Sequence, residues 1–168
     1  GGARNVGVWK AKNSRIFFVD CDDEILPDHF SNMLQKMDEG ADVVATNMYI
    51  PADDTVFCSF NCGLPEIYTA NTNGSGIGID RKNKKIRRLC RWGLYNWLMF
   101  THYEDWELNI VLKRMGCAFS LVPLPTYIYY RDSSGRDARN EKLRRVAFKI
   151  LKPMSSLRYR LLRFLVEW

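Results

Sequence analysis

The sequence lacks a long hydrophobic run and a secretory leader. No stretch of about eighteen consecutive apolar residues occurs, although roughly that length is needed for a helix to cross a bilayer. The first residues, Gly1 to Asn5, contain no apolar segment of the kind found in signal peptides. We therefore expect neither a membrane-spanning helix nor a signal peptide, and we expect a cytoplasmic protein.

Cysteine pairs with metal-binding spacing are also missing. The chain has five cysteines, which is an odd number, and no CxxC pair. Cys58 and Cys62 are four residues apart, but no second Cys/His pair with zinc spacing follows them. This usage favours a reduced, intracellular protein with incidental thiols over a disulfide scaffold.

What is present is an ordinary globular composition with an uneven charge. The 168 residues include 46% hydrophobic and 26% charged side chains, which suits one domain with one core. The formal net charge is +6, and seven of the twelve residues from Asp80 to Arg91 are basic. A basic balance is compatible with nucleic acid, anionic lipid or a phosphorylated substrate, and composition alone does not choose among them.

The first half of the chain has the pattern of a strand–helix–strand unit. The apolar run Ile16–Val19 predicts a strand buried on both faces of a largely parallel sheet. A helix is predicted after Pro27, because apolar residues follow at helical spacing as far as Met37. Strand character returns over residues 42–50, which indicates an α/β fold with a right-handed crossover.

Later segments add further elements. Helices are predicted over residues 3–12 and 103–115, and strands over residues 118–122 and 127–131, with Pro123 and Pro125 ending the first of these strands. The residues from Asp137 onward have a helical pattern broken at Pro153.

Three carboxylates stand directly after the predicted buried strand, at Asp20, Asp22 and Asp23. Ligands of open α/β sheets gather at the carboxyl ends of strands. Hard oxygen donors of this kind suit Mg²⁺ or Mn²⁺ in combination with substrate phosphates. The alternative is an acidic loop that caps the following helix.

Two more acids, Glu104 and Asp105, stand at the start of a predicted helix. A carboxylate facing a cleft there can act as the general base for an acceptor hydroxyl. The alternative is that both acids only complement the helix dipole. Farther on, Arg131 is a candidate phosphate contact or a surface residue of an exit loop.

The tail from residue 152 to residue 168 interleaves leucines and aromatic residues with arginines such as Arg158, Arg160 and Arg163. This pattern is typical of an interfacial helix that reaches anionic headgroups, so we consider peripheral membrane contact through the tail at the inner face of the membrane. The same pattern also suits a helix that packs on the domain.

Two blocks of residues together resemble glycosyltransferase family 2. The first consists of G-A-R-N-V-G at 2–7, F-F-V-D-C-D-D at 17–23 and Pro27. The second consists of Y-E-D-W-E-L at 103–108, Gly116, V-P at 122–123 and Y-R at 130–131. The order and spacing of both blocks are similar to those of the family.

The resemblance implies an α/β fold of the GT-A type. Residues 1–135 would form a partial, Rossmann-like three-layer domain with a mixed, mainly parallel sheet, and residues 136–168 a basic amphipathic helical tail. The implied activity is metal-dependent, inverting transfer of a sugar from a nucleotide-diphosphate sugar to a hydroxyl. The acceptor would be a saccharide or lipid-linked saccharide in cell-surface polysaccharide or glycolipid synthesis.

The resemblance also implies roles for the residues of the first block. Asp20 and Asp22 would contact the ribose or the phosphates of the donor, and Arg4 would lie near those phosphates. Asp22 and Asp23 would be the ligands of Mn²⁺ or Mg²⁺.

In the second block, the resemblance makes Asp105 the catalytic base, with Glu104 supporting it. Replacing Asp105 distinguishes a transferase from the main alternative, a non-catalytic GT-A remnant that acts as a membrane- or partner-binding module. A nucleic-acid-binding protein is favoured by charge alone, and we do not expect nucleic acid as a partner.

Family members usually have two or three βα units before the segment that begins at Gly2, and these units hold the nucleotide base. We therefore expect a fragment, a truncated chain or a degenerate homologue that binds metal and phosphate weakly and turns over slowly or not at all. Apolar surface left open by the missing units would favour self-association.

Overall fold

The computed structural model describes residues 1–59, 67–68, 76–97, 104–130 and 156–161. The helices are α1 (Gly2–Lys10), α2 (His29–Asp38), α3 (Lys84–Trp92) and α4 (Glu104–Arg114). The strands are β1 (Arg15–Phe17), β2 (Glu24–Ile25), β3 (Val43–Ile50), β4 (Thr55–Phe57), β5 (Ile77–Asp80) and β6 (Phe119–Ile128). No helix in these ranges is long and apolar enough to cross a membrane.

The six strands form one mixed sheet in the order β1-β5-β3-β6-β2, with β4 pairing with the end of β3. The α/β prediction is therefore confirmed. The prediction of a mainly parallel sheet is wrong, because only β3 and β6 pair in parallel and the other pairings between described strands are antiparallel. The predicted strand–helix–strand unit exists, but β5 lies between β1 and β3 and runs against both.

The position of β1 also differs from the prediction. The strand spans Arg15–Phe17, and its three residues are only half-buried because β1 lies at the end of the strand order. Val19, predicted within a strand buried on both faces, follows β1 and is 40% exposed. The strand therefore ends before the apolar run does, and the rest of the run leads into the acidic segment, residues 20–23.

The two faces of the sheet carry separate apolar clusters. Val43 and Ala45 pack with α1, α3 and α4, whereas Val44 packs with α2, because successive side chains of a strand point to opposite faces. Met33 and Met37, two of the apolar residues that follow Pro27 at helical spacing, are both buried under α2. The sheet is thus covered on both sides, as the three-layer prediction requires.

Strand β6 continues through the two prolines that were predicted to end it. Its parallel register with β3 shifts between Thr46 and Met48, opposite Pro123 and Pro125. The side-chain amide of Asn47 donates a hydrogen bond to the Pro123 carbonyl at 2.7 Å. A bulge therefore accommodates the prolines without ending the strand, and β6 reaches Tyr127 beside the acidic segment.

Helix α4 begins at Glu104, as the sequence predicts to within a residue. Its first turn contains Glu104, Asp105 and Glu107 and its last turn contains Lys113 and Arg114, an arrangement that complements the helix dipole at both ends. It ends before Gly116, whose φ of +71° is a conformation that glycine adopts readily.

Candidate active site

The acidic segment forms a tight turn after β1. The backbone N–H of Asp23 donates to the carbonyl of Asp20 at 3.1 Å, which places Cys21 and Asp22 at the exposed tip. Among the described residues, the Asp22 carboxylate has no hydrogen-bonding or ion-pair partner. The turn therefore presents one uncommitted carboxylate at the carboxyl end of a strand.

Tyr127, on β6, holds both ends of this turn. Its hydroxyl accepts a hydrogen bond from the Asp20 N–H at 3.1 Å and donates one to Asp23 Oδ2 at 2.7 Å. The backbone N–H of Tyr130 donates to Asp23 Oδ1 at 3.0 Å. Both oxygens of Asp23 therefore accept hydrogen bonds. Position 76 next to Tyr127 requires a glycine, since a Cβ there would collide with the Tyr127 ring.

Burial raises the pKa of Asp23, and the charges of Asp22 and Asp20 raise it further, although the hydrogen bonds from Tyr127 and Tyr130 oppose the shift. Burial likewise raises the pKa of Tyr127, so its hydroxyl stays protonated. The turn is consequently an acidic site whose carboxylates repel one another and are stabilised by nearby cations or hydrogen-bond donors.

Arg4 joins the acidic turn to the start of α4. Its Nη2 donates to Asp20 Oδ1 at 2.5 Å and its Nη1 donates to Glu104 Oε1 at 2.9 Å. The guanidinium also lies over the Tyr95 ring, 5.4 Å from its centroid, a cation–π arrangement. Burial lowers the pKa of Arg4, but the hydrogen bond to Asp20 and the surrounding charges outweigh it and raise the pKa overall. Arg4 is therefore a permanent cation shared by two carboxylates.

Asn5 fixes the position of Arg4. Its side chain is fully buried, and its amide donates to the Tyr95 carbonyl while its oxygen accepts from the Tyr95 N–H, both at 2.8 Å. This pair of bonds ties α1 to the segment after α3. Gly93 permits the approach, because its φ is +109° and a Cβ there would contact Trp97 and Asn5.

Glu104 and Asp105 occupy the first turn of α4 and are both half-buried. Asp105 lies close enough to Tyr95 for its charge to contribute to the raised pKa of that phenol, which burial raises most. The structure thus brings Arg4, Asp20, Glu104 and Asp105 together around Tyr95. The sequence predicted these four residues as site residues, and the structure adds Asn5, Tyr95 and Tyr127.

Behind this cluster, a buried ion pair joins α4 to residues 156–161, which form a helical segment. Arg158 donates to Glu107 Oε2, and its other terminal nitrogen donates to the carbonyls of Gly93 and Leu94. Glu107 is 0% exposed and Arg158 is 13% exposed. Residues 156–161 of the tail therefore pack on the domain. The candidate phosphate contact Arg131 lies outside the described residues, as do the rest of residues 131–155 and residues 162–168.

The carboxylates of the acidic turn offer few free oxygens to a divalent cation. Within the described ranges, no three His, Cys, Asp or Glu side chains are grouped so that they could hold a metal ion. Asp20 is bound to Arg4, and both oxygens of Asp23 accept hydrogen bonds. Asp22 remains exposed, and one carboxylate with substrate phosphates is a usual Mg²⁺ arrangement. The turn fits a cation that arrives with a diphosphate, and the predicted ligands Asp22 and Asp23 stay predictions.

The mixed sheet with helices on both faces is that of a partial, Rossmann-like GT-A domain. Residues 1–90 match the family described as Glycosyl transferase family 2, which is more than half of the chain. The chain belongs to this family. No curated protein matched it in a separate search.

Membership supports glycosyl transfer in general, from a nucleotide-sugar donor to an acceptor, and the family is generally dependent on a divalent metal. The matched residues contain Arg4 and the acidic turn but end before Glu104. The contact between Arg4 and Glu104 therefore connects the matched part of the chain with α4.

Proposed function

We propose that this chain is an inverting, metal-dependent glycosyltransferase that moves a sugar from a nucleotide-diphosphate sugar to a hydroxyl acceptor. The observation that carries the proposal is the Arg4 bridge, which brings the carboxylate turn of the donor side and the acidic first turn of α4 into one cluster. A saccharide or lipid-linked saccharide for cell-surface polymers or glycolipids is the acceptor class we propose.

On the donor side, Asp20 and Asp22 contact the ribose or the phosphates, and Arg4 adds positive charge beside them. Asp22, with Asp23 next to it, holds Mn²⁺ or Mg²⁺. The cation, when bound, neutralises the negative charge that develops on the departing diphosphate. Tyr127 keeps the turn in shape by its two hydrogen bonds to Asp20 and Asp23.

On the acceptor side, Asp105 takes the proton of the acceptor hydroxyl while that oxygen attacks the anomeric carbon. The bond from this carbon to the diphosphate oxygen breaks, and the nucleoside diphosphate leaves with the bonding electrons. A single displacement of this kind inverts the anomeric centre. Glu104 holds Arg4 and so fixes the first turn of α4 with respect to the donor turn.

Thermal unfolding with Mn²⁺, alone and with UDP, GDP, dTDP or CDP, tests the donor site. Ligand at a hundred times its dissociation constant stabilises the native state by about 2.7 kcal/mol, which raises the midpoint by roughly 5–10 °C for a domain of this size. We expect a metal-dependent shift with one nucleotide that is lost in Asp22→Asn and kept in Asp28→Asn. The absence of a shift with every nucleotide would contradict the donor site.

Replacing the base separates a transferase from a non-catalytic module. We expect Asp105→Asn to lower the transfer rate by about 100-fold or more, since a general base contributes roughly 10²–10⁴, while the nucleotide-induced thermal shift stays. An unchanged rate in Asp105→Asn would remove Asp105 from the mechanism. A membrane- or partner-binding function that stays intact in Asp105→Asn would favour the module.

A further inference from the structure

Helix α3 is strongly cationic on its outer side. Its nine residues include five Lys or Arg and no acid, while Ile86, Leu89 and Cys90 are buried against the domain. Like charges on one short helix repel one another and destabilise the compact state. We therefore expect this surface to bind a negatively charged partner.

A cleft of about 460 Å³ lies between the C-terminal end of α1 and α3. None of the described residues that line it is acidic. Its basic lining residues are Lys12, Arg81, Lys82, Arg87 and Arg91. The Arg81 guanidinium donates to carbonyls at the end of α1 and just after it, including those of Val8 and Ala11, and it forms no ion pair with a carboxylate of the described residues. The other four basic side chains form no ion pair with any described residue.

Half-exposed tryptophans stand beside this cleft. Trp9 is 51% exposed, and its indole N–H donates to the Cys90 carbonyl at 2.7 Å, which fixes the ring between the two helices. Trp97 is 46% exposed and its ring centroid lies 5.8 Å from that of Trp9. Trp92, next to Arg91 at the end of α3, is 59% exposed. Indoles and cations in close neighbourhood are the combination that settles at a bilayer interface.

We propose that this surface docks on an anionic lipid bilayer. We call it the tryptophan–arginine surface and define it by Trp9, Lys12, Arg87, Arg91, Trp92 and Trp97. The cations face lipid phosphates and the indoles enter the headgroup layer. The exposed apolar area, which includes Val6 at 43% exposure on α1, favours a bilayer over a nucleic-acid duplex, whose backbone attracts mainly charge.

The surface is separate from the tail that the sequence suggested for membrane contact, and it shares α1 with the candidate site. Arg4 lies in the first turns of this helix and Trp9 in its last turn. Arg4 and Trp9 are five residues apart, which corresponds to a rise of about 7–8 Å along the helix. Docking therefore keeps the acidic cluster within one short helix of the bound surface.

Co-sedimentation with vesicles tests the proposal directly. The chain is mixed with vesicles of phosphatidylcholine alone and with vesicles that also contain phosphatidylglycerol. We expect binding only to the anionic vesicles, accompanied by a blue shift of tryptophan fluorescence. Raising the salt from about 0.1 M to about 1 M shortens the Debye length from about 10 Å to about 3 Å and should release most of the protein.

The double variant Arg87→Gln/Arg91→Gln identifies the surface. Each basic residue near an anionic membrane contributes about fivefold in affinity, so we expect a loss of about 25-fold. Lys36→Glu lowers the net charge by the same amount on α2, at the other face of the sheet, and should bind like the unaltered chain. Trp92→Ala should weaken binding and reduce the blue shift. All four substituted side chains are at least partly exposed, and equal unfolding midpoints verify that the variants fold.

Several results would overturn the proposal. One is binding to neutral vesicles that is as tight as binding to anionic vesicles. Another is an equal loss of vesicle affinity in Arg87→Gln/Arg91→Gln and in Lys36→Glu. A third is the abolition of binding by Leu157→Ser/Leu161→Ser alone, which would assign the contact to the tail. Binding to random single-stranded DNA that is tighter than binding to anionic vesicles would assign the surface to nucleic acid. The absence of binding to any vesicle would also contradict the proposal.

Discussion

Arg4 is the residue on which the candidate site depends most directly. Its side chain is 23% exposed, and its guanidinium contacts two side chains that are also mostly covered, Asp20 at 29% and Glu104 at 22%. Without the guanidinium, both carboxylates would lose the cation that they share. The Arg4 bridge thus has a larger structural effect than an exposed ion pair, and it orients the acids at the same time.

We predict that Arg4→Met lowers the free energy of unfolding by about 2–3 kcal/mol, since hydrogen bonds between charged groups contribute roughly 1.5–3 kcal/mol. Urea unfolding measures the loss. Lys36→Met is the control, because the exposed pair of Lys36 with Glu39 should be worth about 0–1 kcal/mol. Equal losses in the two variants would mean that the Arg4 bridge adds nothing to stability.

His29 makes stability depend on pH. His29 is 1% exposed, its Nδ1 lies 2.9 Å from Thr126 Oγ1, and its buried Nε2 has no hydrogen-bond partner among the described residues. Burial lowers the pKa of His29 below its ordinary value of 6.5. The unfolded chain therefore binds a proton at higher pH than the folded chain does, so stability present above pH 6.5 is lost as the pH falls toward the folded-state pKa.

We predict that His29→Asn removes this pH dependence. Asn keeps a polar atom near Thr126 but does not titrate, so the variant should lose less stability than the unaltered chain between pH 7 and pH 5. Urea unfolding at both pH values provides the comparison. His102→Gln, which removes the only other histidine, is the control, and a flattened pH profile in that variant instead would assign the effect to His102.

At the scale of elements, the helical segment 156–161 supports the segment that carries Tyr95. Arg158 binds a buried carboxylate on α4 and two carbonyls at residues 93 and 94, while Asn96 donates to the same carboxylate at 3.4 Å. Burial raises the pKa of Glu107, although Arg158 opposes the shift. The pair therefore connects the tail, α4 and the turn after α3.

We predict that Arg158→Met lowers the free energy of unfolding by about 3–5 kcal/mol, because it leaves a buried carboxylate unpaired. Arg158→Met/Glu107→Leu should recover part of the loss, since it removes the uncompensated charge. A chemical unfolding series of both variants measures this. A double variant less stable than Arg158→Met alone would show that Glu107 is not destabilised by the loss of its partner.

Some of these elements could be predicted from the sequence and others could not. Helical spacing predicted α2, because Met33 and Met37 recur with the helix period. The spacing of Trp106 and Ile110 predicted α4 in the same way. The prediction that the prolines end a strand was wrong for β6, since a bulge accommodates them. The role of Tyr127 could not be predicted, because nothing in the local sequence distinguishes it within a run of aromatic strand residues. The order of the strands depends on pairing between distant segments, which local patterns do not specify.

At the scale of the whole molecule, the same limit applies to the site. The acids at residues 20–23 and 104–105 were predicted as two separate groups, each by its position at the end or start of an element. Their meeting at Arg4 depends on α1 lying against the segment after α3, which Asn5 and Tyr95 secure. The chemistry of each group could be predicted, but their joint geometry required the fold.

The molecule as a whole has two unequal apolar layers. Among the described residues, sixteen buried residues from α1, α3, α4, the strands and the segments next to them form the cluster on one face of the sheet, whereas five form the cluster under α2. The hydrophobic contribution grows with the apolar area that is buried. We therefore expect α2 to open at a lower free energy than α4, ahead of global unfolding.

Native-state hydrogen exchange measures this difference residue by residue. We predict that α2 amides exchange through a local opening of lower free energy, while α4 amides exchange only with global unfolding. Met33→Ala should lower protection mainly in α2, because Met33 is fully buried under that helix, whereas Leu108→Ala should lower it everywhere. If α2 and α4 amides have the same opening free energy in the unaltered chain, the two layers unfold as one unit and the inequality of the clusters has no consequence for stability.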